Sequence, residues 1–158
     1  MKQELASLID RLAVISELAN RENDEIEALY GLGSITSMAD HAEIYENEPF
    51  PAELALTAFL LGLPQVVLHS IHTLMMAGRE EDDAIDAVDY YCSPGVSSAG
   101  AVASIREKRD RIEYVAKGIE ALGRDRLPDL LAQVRKRLGK LAMEDDRPSA
   151  VARPFRGD

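Results

Sequence analysis

His69 and His72 are the residues of this 158-residue chain whose type and spacing point most directly to chemistry. Three positions apart on a helix they share one face, so both imidazoles could reach a single divalent metal. His41, or a carboxylate such as Glu43, Glu48 or Glu53, is the expected third ligand, because helical bundles build metal sites from facing helices. The pair lacks the glutamate of a His-Glu-x-x-His helix, and no second motif completes it. Two ordinary histidines on a helix surface or interface remain the alternative.

The other reactive residues offer less. Cys92 follows Tyr90-Tyr91 near a helix end, where the dipole raises a thiol's pKa, so a small, partly buried, inert thiol is expected. No Gly-x-Ser-x-Gly elbow or phosphate-cradling loop is present, and Gly31-x-Gly33 reads as a helix breaker. The run Glu80-Glu81-Asp82-Asp83 lacks the interval of a calcium loop and suits a helix N-terminus. No catalytic constellation is complete, and no cofactor is implied beyond that one divalent metal.

Charge narrows the classes of partner. The chain carries 28 acidic and 18 basic side chains, a net of −10, and a field of that sign repels nucleic-acid phosphates. The distribution is uneven: residues 1–95 hold 18 acidic and 4 basic groups, residues 96–158 hold 10 and 14. Salt bridges at a seam between acidic and basic helices would account for the split. Alternatively Arg135, Lys136, Arg137 and Lys140 form a basic edge for a partner. Nucleic acid is one such partner, although no aromatic residue lies there to stack on bases. The run Arg106–Arg111 reads as a solvated helix face with Glu107–Arg111 and Glu113–Lys117 pairs.

One cysteine excludes an internal disulfide and fits a reducing cytosol. The charged N-terminus is unlike a signal peptide. The longest apolar stretch, Leu54–Leu63, is about ten residues where a membrane span needs roughly twenty. A soluble, cytoplasmic protein follows.

The elements that must position these residues are helices. Leu5, Leu8, Leu12, Ile15 and Ala19 lay a stripe along the first, which either continues through Asn20–Asp24 or restarts with Asn23 as a cap. Residues 34–48 give no clear pattern. Pro51 opens a helix apolar almost all round (Leu54, Ala55, Ala58, Phe59, Leu61), which predicts a central position. Gly62 ends it and Pro64 starts the next, whose stripe is Val67, Leu68, Ile71, Leu74 and Met75, with Gly78 expected as a left-handed cap. Ala84, Ile85, Val88 and Tyr91 face inward from a short helix stopped by Ser93-Pro94-Gly95. Ser104-Ile-Arg-Glu107 has capping-box spacing and predicts a long helix to Gly123 with Ile112, Val115, Ala116, Ile119 and Leu122 on one face. The last helix starts at Pro128, with Leu127, Leu131, Val134, Leu138 and Leu141 along one side.

Several of these segments carry a resemblance. Pro51-Ala-Glu53-Leu54, Leu63, Leu74-Met75-Met76-Ala77-Gly78-Arg79 and Tyr114-Val-Ala-Lys-Gly118-Ile-Glu-Ala-Leu-Gly123 resemble an uncharacterised bacterial family of all-helical domains. Its pattern is Pro-x-x-Glu-Leu followed by Leu-Met-Trp-x-Gly-Arg-Gly-Asp. Met76 stands in place of the Trp, Glu80 in place of the Gly after the Arg, and one residue rather than two separates Pro51 from Glu53. The resemblance implies a small helical domain, with Gly78 and Arg79 in structural roles, and transfers no activity.

The sequence therefore predicts an all-α, single-domain bundle of about five or six helices over residues 1–143, with a flexible, disordered tail over 144–158. Apolar stripes on both terminal helices, without a catalytic set, point to a non-catalytic protein–protein interaction or self-associating module, with a homodimer expected. A metal-binding protein or metal-dependent enzyme using His69 and His72 is the alternative. A nucleic-acid accessory protein acting through the last helix is the second.

Overall fold

The computed structural model describes residues 2–30 and 51–145. Among them are seven α-helices, one short 3-10 turn and no strand. The all-helical expectation holds, with more helices than foreseen. No single helix among the described residues is long and apolar enough to cross a membrane. The unreadable stretch 34–48, His41, Glu43 and Glu48 with it, lies outside the described residues. Of the tail expected over 144–158, Glu144 and Asp145 instead belong to the last helix, and the rest lies outside the described residues. The described residues pack as two compact units, one within residues 3–62 and the other within residues 63–145.

In the first unit α1 (Lys2–Tyr30) runs unbroken through Asn20–Asp24, so Asn23 caps no new helix. Leu5, Leu12, Ser16 and Ala19 are buried. The second helix, α2 (Pro51–Leu61), opens on a proline whose absent N–H is no loss in a first turn. The next amides, of Ala52 and Glu53, donate to the two carboxylate oxygens of Glu22 in α1 at 2.9 and 3.0 Å. One acidic side chain thus satisfies two orphan donors and meets the positive pole of the helix dipole. Arg11 lies 5.4 Å from the centroid of the Phe59 ring. The expected all-round burial of α2 does not occur. Leu56 and Leu60 are buried, whereas Leu54 and Leu61, on the opposite side, are exposed. An apolar composition sets what a helix can bury, and the neighbours it has set what it does bury.

The central helix is instead α3 (Gln65–Glu80), in the second unit. Residues Val67 through Met75 are buried without a break, as are Ala77 and Gly78. It packs against α4 (Ala84–Tyr91), α5 (Ser98–Glu107), α6 (Arg111–Leu122) and α7 (Leu127–Asp145), most extensively against α6. Two of the polar side chains buried in α3 are satisfied by carbonyls of the helix itself. Ser70 Oγ donates to the Val66 carbonyl and Thr73 Oγ1 to the His69 carbonyl, each at 2.7 Å.

The α3–α6 contact is made backbone to backbone. A methyl group on Gly78 would overlap the Tyr114 carbonyl oxygen and come within 2.7 Å of the Gly118 nitrogen; one on Gly118 would overlap the Leu74 carbonyl. Gly78 lies over Tyr114 and Gly118 over Leu74, so the two helices run in opposite senses. Gly78 is therefore a helix-interior contact residue, and the expectation of a left-handed cap there is corrected. The left-handed residue is Glu81 (φ 63°, ψ 36°). Its N–H and that of Asp82 both turn back to the Ala77 carbonyl.

Asp83 caps α4, its Oδ1 accepting from the amides of Ile85 at 2.9 Å and Asp86 at 3.4 Å. The long helix expected from Ser104 is two helices. α5 starts earlier, where Ser97 Oγ accepts from the Gly100 amide at 3.0 Å, and Ser104 sits mid-helix. The break at Lys108–Asp110 is sealed by Arg111, only 2 % exposed. Its guanidinium donates to the carbonyls of Ile105 and Arg106, both at 2.9 Å. Arg111 is thus the internal C-cap of α5 and not a member of a solvated face; the Glu113–Lys117 pair forms as expected, at 3.6 Å. Gly123, at φ 96°, stops α6, and a 3-10 turn, Arg124–Arg126, leads into α7.

Two stability outcomes follow. Gly118→Ala is expected to lower unfolding stability by about 3 kcal/mol, because a backbone cannot move aside as a side chain does. Gly139→Ala, with nothing near the added methyl, is expected to gain up to about 1 kcal/mol from helix propensity. Equal effects in urea titration would refute the close crossing. Glu81→Gly is expected to raise the urea midpoint by relieving a left-handed backbone, by up to about 1 kcal/mol. A drop would show that Glu81 contributes contacts that outweigh the strain.

Candidate functional site

Both histidines of the sequence pair lie inside the second unit, His69 at 1 % and His72 at 4 % exposure. Each Nδ1 is buried without a hydrogen-bond partner. His69 Nε2 lies 3.3 Å from Ser98 Oγ. That is a serine–histidine contact, but no group among its described partners orients the ring from Nδ1 as an activated nucleophile requires. Burial lowers the pKa of His69. Burial first, then His69 and Lys108, pushes His72 down to about 4. Both rings are neutral at pH 7.

Among the described residues no group of three or more His, Cys, Asp or Glu side chains is arranged to hold a metal ion. His41, Glu43 and Glu48 lie outside the described residues, and Glu53 belongs to the other unit. Cys92 is fully buried, with its sulfur 3.8 Å from Thr73 Oγ1, and burial pushes the thiol pKa up. The thiol expected to be partly buried is thus more deeply placed.

The basic residues of α7 divide between two roles. Arg137 is half-buried: its Nε donates to the Cys92 carbonyl at 3.1 Å and lies 3.8 Å from Asp89. Together with Arg126, 3.8 Å from Asp83, it ties α7 alongside α4. These are bridges at an acidic–basic seam. Arg135, Lys136 and Lys140 are exposed. Successive helix positions turn by about 100°, so Lys136 and Lys140, four apart, lie on one side of α7, with Arg135 about 100° from Lys136.

Among the described residues, two open grooves lie around Tyr90 and Tyr91; Tyr91 is the one expected from its spacing to face inward. The His72 and Tyr91 rings meet edge to face at 5.8 Å, and Tyr91 and Tyr90 do so at 4.7 Å. The three rings form a stack leading from the core to Tyr90, which is 72 % exposed. On one side of this ridge is an open groove of about 520 Å³, lined by Glu80, Asp82, Asp83, Asp86 and both tyrosines. On the other is a groove of about 410 Å³, lined by His72, Met76, Val96, Gly95, Gly100, Ser93 and Ser104 as well as the tyrosines. Glu80 pairs with Arg79 and Asp83 with Arg126, each at 3.8 Å. Among the described residues Asp82 and Asp86 form no ion pair. The local potential is negative enough that Glu80 and Asp82 add to burial in raising the Tyr91 phenol.

The signal in the sequence was a Tyr-Tyr pair closing a short helix whose first turn is acidic. An exposed aromatic beside carboxylates can hold a cation over its ring while neighbouring charges neutralise it. The second groove offers apolar walls with hydroxyls and exposed glycine backbone. Comparisons with protein-family models, characterised proteins and solved structures find no match for this chain.

The buried histidines make stability pH-dependent. With a folded pKa near 4 against 6.5 unfolded, the unfolded state binds more protons between those values. Stability is then full above pH 6.5 and falls as pH drops toward 4. Between pH 7 and 5 wild type is expected to lose about 2 kcal/mol more than His72→Gln, at ~1.4 kcal/mol per pH unit. Urea titrations at the two pH values check this, and identical losses in both proteins would refute it.

Proposed function

We propose that this chain is a non-catalytic binding module whose recognition face is the Tyr90–Tyr91 ridge. Its ligand is a partner segment that places a basic side chain beside an apolar one. The supporting observation is the position of Tyr90, a large, exposed aromatic standing between a carboxylate-lined groove and an apolar one. Tyrosine supplies wide contact area at low entropic cost and is enriched at interaction surfaces. The basic group would sit over Tyr90 against Asp82 and Asp86. The apolar group would enter the groove beside Met76 and Val96. Both grooves are open, so affinity is expected in the micromolar range, on the order of 10–100 µM.

Fluorescein-labelled peptides that combine Arg or Lys with Leu or Phe, titrated by fluorescence polarisation, test the reading. Saturable binding is expected, weakening with added salt and at least ~10-fold weaker in Tyr90→Ala and in Asp82→Asn/Asp86→Asn. Tyr90 and Asp82 are outside the core, so helical content by circular dichroism should be unchanged. Binding that is equal in all three proteins, or absent for every basic–apolar peptide at millimolar concentration, overturns the proposal.

A further inference from the structure

A second surface lies on α2, in the unit formed by residues 3–62. Leu54 is 65 % and Leu61 64 % exposed, and Ala58 between them is exposed as well. At spacings of four and three these residues make one stripe along the helix, on the side opposite the buried Leu56 and Leu60. Exposed leucines scattered singly need no explanation, but a stripe on one helix face is the pattern that anchors another helix.

We propose that this stripe is a self-association face, on which α2 of one copy lies antiparallel against α2 of a second copy. Three observations choose that occupant. The stripe is symmetric about its own midpoint: with two helices antiparallel across a two-fold axis, Leu54 meets Leu61 of the second copy twice over. The small Ala58 lies near the axis, where close approach is needed. The stripe also carries no charge. Glu53 is the single charged residue of α2, and its helix position turns it toward the Leu56–Leu60 side. Thr57 satisfies its hydroxyl on the Glu53 carbonyl at 3.1 Å. Finally, residues 1–62 hold 12 acidic and 3 basic groups, which disfavours an anionic lipid surface as the occupant.

The same acidity shapes the behaviour of the pair. Two copies repel at long range while the uncharged stripes attract at contact, so added salt strengthens association by screening the repulsion. That is the opposite sign to peptide capture at the Tyr90 ridge, so each proposal can fail without the other. A patch of this size buries less than the area of a stable obligate dimer, and a dissociation constant on the order of 100 µM is expected.

Sedimentation equilibrium of the whole chain at 20–500 µM (roughly spanning that constant), in low and high sodium chloride, tests the proposal. A monomer–dimer equilibrium that tightens with salt is expected, weakened at least ~10-fold in Leu54→Glu and in Leu61→Glu. Both sites are exposed, and unchanged circular dichroism would confirm that the variants fold. Register is tested by a short bis-maleimide. A mixture of Leu54→Cys and Leu61→Cys chains should cross-link more efficiently than either alone, and the native thiol, Cys92, is fully buried. Overturning results are a monomer at every concentration and salt, a dimer indifferent to Leu54→Glu, or a monomer that binds neutral phosphatidylcholine vesicles through Leu54 and Leu61.

Discussion

The second unit depends on the crossing of α3 and α6 at Gly78 and Gly118. Helices separated by ordinary side chains pack with axes about 8–10 Å apart. Here each glycine lies against a carbonyl of the opposing helix, an approach any Cβ would prevent. The closeness lets one helix, α3, be enclosed by four others, because α6 takes up so little room on its flank. Leu74 and Gly78 come from α3, Tyr114 and Gly118 from α6, and all four meet at this crossing.

A helix enclosed on all sides must bury whatever its sequence contains, and α3 contains His69, Ser70, His72 and Thr73. The two hydroxyls are satisfied within the helix. The imidazoles are handled differently: their pKa values are lowered, so the groups are held neutral and the cost of a buried charge is avoided. The residues that looked most like metal ligands from their spacing are thereby placed in an apolar interior. His72 uses its ring mainly as an aromatic surface against Tyr91.

Local patterns in the sequence were legible wherever one helix face decided the outcome. The stripes of α1 and α3, the stop at Gly123 and the acidic start of α4 all follow from periodicity or dipole logic that acts within a few residues. Errors arose where a distant residue decided. Ser104 had the right spacing for a capping box, but Ser97 took the cap and Arg111 closed the preceding helix from beyond its end. Gly78 had the composition of a cap, yet a carbonyl of α6 required the glycine. Glu22 caps a helix that begins 29 residues further on, with no local signal at either end. The Tyr90 ridge was illegible for a related reason, since it takes shape only once His72 is placed beneath Tyr91 by another helix.

That support also bears on how the ridge could act. α4 has only eight residues, too short to hold a helix by itself. Its start is fixed by the Asp83 cap and by Arg126, its end by Arg137 on the Cys92 carbonyl, and its inner face by Ala84, Ala87 and Val88. Tyr91 rests on a ring buried in the most enclosed helix of the unit. Tyr90 is therefore presented from a braced element, and a partner meeting it need not meet the ordering cost that a loop would impose. The carboxylates beside it belong to that same capped turn. The interactions that stabilise α4 and those that would attract a cation thus share one short stretch of chain, from Glu80 to Asp86.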